Sequence, residues 1–119
     1  MELKQLVPIL RIFDEGKAKE FYLDFLGFTL DWENRFEPGT PVYMQISKGN
    51  VRLHLSEHYG DSSPGSTIRI EMTGISDLHK ELMEKKYKYA RPGLEKTPWE
   101  SVECKINDPF GNRILFCEF

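Results

Sequence analysis

Between Ser101 and Phe119 two runs with strand-like alternation, Ser101 to Ile106 and Arg113 to Phe119, flank the pentapeptide Asp108-Pro109-Phe110-Gly111-Asn112. Proline presets φ at one position of this segment and glycine permits a positive φ at another, so the chain must reverse here and the two runs must pair. An antiparallel hairpin is thereby imposed on one end of the fold, and the remaining elements have to be compatible with it.

Sliding the sequence against itself brings Val7-Pro8-Ile9-Leu10-Arg11-Ile12 over Thr67-Ile68-Arg69-Ile70-Glu71-Met72, and a helical pattern follows each run. In the first helix Ala18, Phe21, Tyr22, Phe25 and Leu26 form one apolar stripe at i, i+3, i+4, i+7 and i+8, with Asp14 as N-cap and Gly27 as stop. The second is expected from Ser76 to Lys86, burying Ile75, Leu78 and Leu82. Strands are expected after the first helix at Thr29 to Asn34, Val42 to Ser47 and Val51 to Ser56. After the second they are expected near Tyr89 and in the final hairpin. Lys48-Gly49-Asn50 supplies one turn, and Gly60 to Gly65 reads as a linker.

Period-two alternation assigns faces. Leu10, Ile12, Leu53, Leu55, Ile68, Ile70, Ile114 and Phe116 are expected to face the helices. The opposite parity, Val7, Ile9, Arg11, Arg52, His54, Thr67, Arg69, Glu71, Leu115 and Cys117, is too polar for a core and reads as a concave, partly wet cavity, with Tyr43 and Gln45 added from the neighbouring strand.

At 119 residues the chain fits one domain, and a partner subunit would help it to bury surface. The net charge of −3, with basic residues scattered, excludes a nucleic-acid stripe. No run approaches the ~20 apolar residues of a membrane helix, and the N-terminus carries no basic segment followed by an apolar stretch, so the expectation is a soluble cytoplasmic protein without a membrane partner. Cys104 and Cys117 lie in strands and not in metal-knuckle spacing, and are expected to be reduced structural thiols.

Three sets of residues together resemble the bleomycin-resistance branch of the vicinal oxygen chelate, or glyoxalase, superfamily. They are Pro98-Trp99 with the final hairpin, Phe21-Tyr22 with Leu26-Gly27-Phe28, and Leu53-His54-Leu55-Ser56-Glu57-His58 with Gly60-Asp61 and Pro64-Gly65. The resemblance implies an α+β fold of two βαβββ modules, about residues 1–60 and 61–119 of a single domain, whose strands form a cupped mixed sheet.

Metal-dependent members of that superfamily place ligands at positions that correspond to Val7, His54, Thr67 and Leu115. Valine and leucine have no donor atom and a threonine hydroxyl is a poor one, so one imidazole would have to hold the ion alone. A register slip offers only Pro8, Leu53 or Phe116. His54 and His58 sit four residues apart on a strand and its exit, about 13 Å of extended chain, too far for one ion without a bend. His79 is expected on the solvated side of its helix. No nucleophile elbow and no phosphate loop is present, and no catalytic residue, metal or cofactor is assigned.

The resemblance therefore implies a binding protein, a homodimer that sequesters a bulky cationic aromatic antibiotic or similar small molecule. Trp32, Phe36, Tyr43, His54, Arg69, Trp99 and Phe110 are the candidate ligand-binding residues, with Asp31, Glu57 and Asp61 supplying negative charge. Phe110 in a turn is expected to be hard to bury within one subunit, and so to meet ligand or partner. Arg11, Arg52 and Arg69 share the cavity parity with only Glu71, which leaves room for an anionic ligand inside the cup. The alternative activity is a metal-dependent glyoxalase-like lyase or thiol transferase. A module that binds an endogenous metabolite is a third reading.

Overall fold

The computed structural model describes all 119 residues. In chain order the elements are β1 (Ile9–Arg11), α1 (Glu15–Lys19) continuing as a π-helical turn (Glu20–Phe25), β2 (Thr29–Arg35), β3 (Val42–Lys48), β4 (Val51–Ser56), β5 (Thr67–Glu71), α2 (Ile75–Glu84), β6 (Leu94–Lys96), β7 (Val102–Asn107) and β8 (Arg113–Glu118). The strands form two four-stranded sheets of the same design, β1-β4-β3-β2 and β5-β8-β7-β6. In each, the first strand of the set pairs parallel with the last and all other pairs are antiparallel. The expected mixed sheet is therefore divided in two within the chain, one half from each βαβββ run.

The first helix starts where Asp14 accepts a hydrogen bond from Lys17 N at 2.8 Å and stops at Gly27, whose φ of 83° a β-carbon would penalise. Its apolar stripe is wholly buried. Its last six residues widen into a π-turn, with Leu26 N donating to Phe21 O. Side-chain spacing does not distinguish the two registers, because both keep Phe21, Tyr22, Phe25 and Leu26 on adjoining faces. Lys48 donates to Leu26 O and Lys85 to Asp24 O and Phe25 O, so two ammonium groups satisfy the carbonyl end of this helix.

Helix α2 begins at Ile75, one residue before the expected start. Its N-cap, Gly74, offers no side chain, and the carboxylate of Glu118 accepts from Ile75 N instead. The short strand β6 lies at Leu94–Lys96 and not near Tyr89, which packs edge-on against Tyr87. His79 is not free in solvent, because its Nε2 donates to Pro92 O at 2.9 Å.

One apolar cluster runs from Leu10 and Ile12 through both helices to Ile106, Ile114 and Phe116, so the two sheets share a core. The parity assignment holds for Leu10, Ile12, Leu53, Leu55, Ile114 and Phe116, whereas Ile68 and Ile70 are only partly buried. It fails for β8, where Leu115 and Cys117 of the expected wet face are buried too. On that face Leu115 and Cys117 lie between the paired residues of β5 and β7, and the Arg69–Glu103 ion pair reaches across β8 from one flanking strand to the other. Both cysteines are free and buried, and burial pushes the Cys104 thiol up to about 11.

The final turn is organised by Asp108. Its Oδ1 accepts from the backbone N–H groups of Phe110 and Asn112, and its Oδ2 from Tyr22 Oη at 2.7 Å and Asn112 Nδ2. Gly111, at φ 90°, lets the chain close beneath this carboxylate. Asn112, with no exposed surface, also donates to Arg11 O and accepts from Ser66 N. The turn thus holds helix α1, strand β1 and the segment between the two runs in one network.

Removing the acceptor in Asp108→Ala strands buried donors, and the expected loss is about 3 kcal/mol or more by urea denaturation. Tyr22→Phe is expected to cost about 1–2 kcal/mol, since Asp108 keeps its other donors. Burial, reinforced by the Asp108 charge, raises the Tyr22 hydroxyl far above its ordinary value. An unfolded tyrosine ionises near pH 10, so this stabilisation is present below that pH and is lost as pH rises above it. The wild-type stability curve should fall more steeply than that of Tyr22→Phe above about pH 10. Coincident curves would place the coupling elsewhere.

Candidate functional site

The open face of the first sheet carries the only cluster in which candidate residues meet. Trp32 and Tyr43 stack with their rings 6.0 Å apart and 12° from parallel, and His54 stands edge-on to both at 5.3 and 5.1 Å. Two structural facts put them there. Gln45 and His54 are directly opposed across β3 and β4, as are Tyr43 and Ser56, so alternation sends Tyr43, Gln45 and His54 to one side. On β2, strict alternation would place Trp32 with Leu30, which packs on the core. A β-bulge intervenes: Leu30 pairs with Ile46, and the next pair is Trp32 with Gln45. The extra residue turns Trp32 outward and leaves Asp31 beside it on the same face.

A chain of hydrogen bonds fixes the protonation of this face. The Asp31 carboxylate can only accept, so Ser47 Oγ and Gln45 Nε2 both donate to it at 2.9 Å. Gln45 therefore presents its Oε1 to His54, whose Nε2 carries the proton and donates at 3.0 Å. Nδ1 is left as an acceptor for Tyr43 Oη at 2.6 Å. Burial lowers the pKa of His54, in keeping with a neutral ring. The bonds from Gln45 and Ser47 hold Asp31 below the ordinary carboxylate range, while burial and then the nearby Asp61 charge raise Tyr43. The result is a polarised aromatic surface with a neutral imidazole at its centre and a permanent negative charge at its edge.

Other candidate residues lie apart. Phe36 is 92% exposed beyond the end of β2, and Trp99 is 59% exposed in the β6–β7 connection. Arg69 belongs to the second sheet, where it pairs with the buried carboxylate of Glu103 at 3.0 Å. Phe110 is a correction. It is only 9% exposed, packs 6.2 Å from Phe13 and joins the core, because the Asp108 network folds the turn inward. Glu57 is occupied by Val42 N, and Asp61 by Ser56 Oγ. Sequence reasoning missed the bulge, for which a tryptophan sharing parity with a core leucine was the available signal.

The positions that would carry a metal do not fit one. Val7 and Leu115 offer no donor, and both ring nitrogens of His54 are engaged by Tyr43 and Gln45. No three His, Cys, Asp or Glu side chains of the chain converge. The aromatic face is also open: two recesses of the chain, about 510 Å³ beside Phe28, Met72 and Phe116 and about 410 Å³ beside Phe21 and Tyr87, lie elsewhere. No helix is long and apolar enough to cross a membrane.

The family described as "Glyoxalase superfamily protein" matches residues 1–119. A bleomycin resistance protein from Geobacillus stearothermophilus is 29% identical over 130 aligned positions that cover 94% of each chain, and one from Staphylococcus aureus matches equally. An antibiotic-binding protein from Streptomyces sp. CB03234 shares the fold with a TM-score of 0.76 at 21% identity, covering 99% of this chain and 98% of that one. A bleomycin-binding protein solved with bleomycin superposes with a TM-score of 0.73 at 19% identity, over 98% of this chain and 99% of the other. The chain belongs to the glyoxalase superfamily.

Proposed function

We propose that this protein is a metal-independent, non-catalytic binder that sequesters a bulky cationic aromatic antibiotic of the bleomycin type in a groove of a homodimer. The observation that carries the reading is the open Trp32–Tyr43–His54 face with the Asp31 charge beside it, on a chain in which no three His, Cys, Asp or Glu side chains converge. Flat heteroaromatic rings stack on indole and phenol faces, and a cationic substituent is attracted both to those faces and to the carboxylate. The relatives named for bleomycin and antibiotic binding support the same ligand class.

Several features favour a second copy as the other wall of the groove. The chain is flat, 46 × 44 × 23 Å, and its radius of gyration of 14.9 Å exceeds the roughly 13.5 Å expected of a compact chain of this length. Met1, Leu3 and Leu6 are fully exposed on an arm preceding β1, an arrangement that costs solvation unless another surface covers it. In such a dimer Phe36, Arg69 and Trp99 would join the ligand groove, and each open sheet face would lose its exposure. Sedimentation equilibrium is expected to give twice the chain mass, and deletion of residues 1–6 to lower it toward a single chain. A monomer at micromolar concentration would remove the dimer from the proposal.

Titration of metal-analysed protein with copper-free bleomycin by calorimetry is expected to saturate near one ligand per chain. Absence of heat at high micromolar ligand, or turnover coupled to metal uptake, would overturn the reading. Trp32→Ala is expected to weaken binding by about 1–3 kcal/mol with less than about 1 kcal/mol lost in folding, because the ring is half-exposed on one sheet face. A large drop in melting temperature at unchanged affinity would make Trp32 structural.

The neutral imidazole gives a pH test. A histidine whose folded pKa is depressed contributes stability that is present above its unfolded value, near 6.5, and is lost as pH falls through the folded one. Protonation at Nδ1 also removes the acceptor used by Tyr43 and adds positive charge beneath the ligand. Bleomycin affinity should therefore fall as pH drops below the ordinary histidine range, and His54→Gln should flatten that dependence. An unchanged pH profile in the variant would take His54 out of the site.

A further inference from the structure

Arg11 closes β1 on the open face of the first sheet, and its side chain makes no ion pair in the fold. Its backbone carbonyl is used by Asn112, but its guanidinium is not used by anything. The side chain makes none of the hydrogen bonds of the molecule and none of its ion pairs, and Nη1 is sealed from solvent without a partner. It is the single buried side-chain nitrogen or oxygen left in that state. The group is held in place by Phe13, whose ring centre lies 4.6 Å from Cζ, and Phe13 leans in turn on Phe110. A cation fixed on an aromatic face, part-buried and given no acceptor by the protein, is arranged to receive an anion.

The carboxylates of this corner are committed elsewhere. Glu15 serves Lys19 and Arg35, Glu57 accepts from Val42 N, and Asp61 accepts from Ser56 Oγ. Two recesses meet at the guanidinium. The one of about 380 Å³ also contains Glu15, Arg35 and Glu57, so its charges balance. The other, about 360 Å³, lies against the loop from Tyr59 to Pro64, and Arg11 is the only charged side chain on its wall. Tyr59, Ser62 and Ser63 bring three hydroxyls to it, and none has a protein acceptor nearer than the 3.4 Å from Ser62 to the carbonyl of Ser63. The donors are in surplus and the acceptor is missing.

We propose that this second recess is an oxyanion subsite that takes the carboxylate or phosphate group of a small molecule, with the solvent-accessible N–H groups of the Arg11 guanidinium as the principal donors and the loop hydroxyls completing the shell. Guanidinium presents paired N–H groups that match either anion, which is why the two share one chemistry here. The proposal is independent of what the aromatic face binds, and its test contains no antibiotic.

Nitrogen-15-labelled protein is titrated with sodium phosphate and, separately, sodium acetate, at an ionic strength held constant with chloride. One or both should give saturable shifts confined to the amides of Arg11, Gly60, Ser62 and Ser63 and to the Arg11 Nε–H, and the stronger of the two identifies the preferred group. Arg11→Gln, which keeps the backbone carbonyl that Asn112 needs, should weaken the response by at least about tenfold. Linear, unsaturated drift with both anions up to about 50 mM would overturn the proposal, and this arm needs only the wild-type chain. So would equal saturation in Arg11→Gln. An Arg11 Nε–H signal that depends on protein concentration before any anion is added would also overturn it, since a second chain would then be supplying the acceptor.

Discussion

The Asp108 carboxylate is the point on which this fold turns. It gathers two backbone N–H groups of its own turn, the Tyr22 hydroxyl from the first helix and the amide of Asn112, and Asn112 extends the network to Arg11 O and Ser66 N. Four segments that are remote in sequence are thereby fixed around one buried carboxylate. A buried carboxylate is tolerated only when its lone pairs are fully answered, and that requirement makes the arrangement specific. It also explains why Phe110 turns inward: closing the turn on Asp108 carries the neighbouring ring against Phe13.

That constraint propagates to the open sheet face. With β1 anchored through Arg11 O, its parallel pairing to β4 places Ile9 against His54 and Arg11 against Ser56. The antiparallel pairing of β4 with β3 then brings Tyr43 and Gln45 to His54, and the bulge in β2 delivers Trp32 and Asp31 to the same place. Asp31 determines the orientation of Gln45, Gln45 the tautomer of His54, and His54 the direction of the Tyr43 proton. A single exposed carboxylate thus sets the electrostatic character of an aromatic surface through three neutral groups, a form of preorganisation that does not require an enclosed cavity.

The legibility of these features in the sequence differs for a physical reason in each case. The stripe Ala18, Phe21, Tyr22, Phe25 and Leu26, the strand runs other than the short β6 and the Asp108–Asn112 turn are periodic or turn-coded, and are readable. The bulge between Leu30 and Trp32 was not, because one extra residue inverts a side chain without changing composition. The capping of α2 by Glu118 and the engagement of His79 by Pro92 O depend on partners 43 and 13 residues away, which no local pattern encodes. Leu115 and Cys117 were misassigned because alternation predicts one wet face, whereas a strand enclosed by neighbours can bury both.

The sequence by itself determined the element order and the two turns that need glycine or proline. Those are properties of residue type and local spacing. Only the tertiary structure decided that Trp32 joins Tyr43 and His54 on their face, that Phe110 packs into the core, and that the Arg11 guanidinium is left without an acceptor. Each of these depends on strand register and on the burial of groups distant in the chain, and register is fixed by the sum of long-range contacts and not by any one segment.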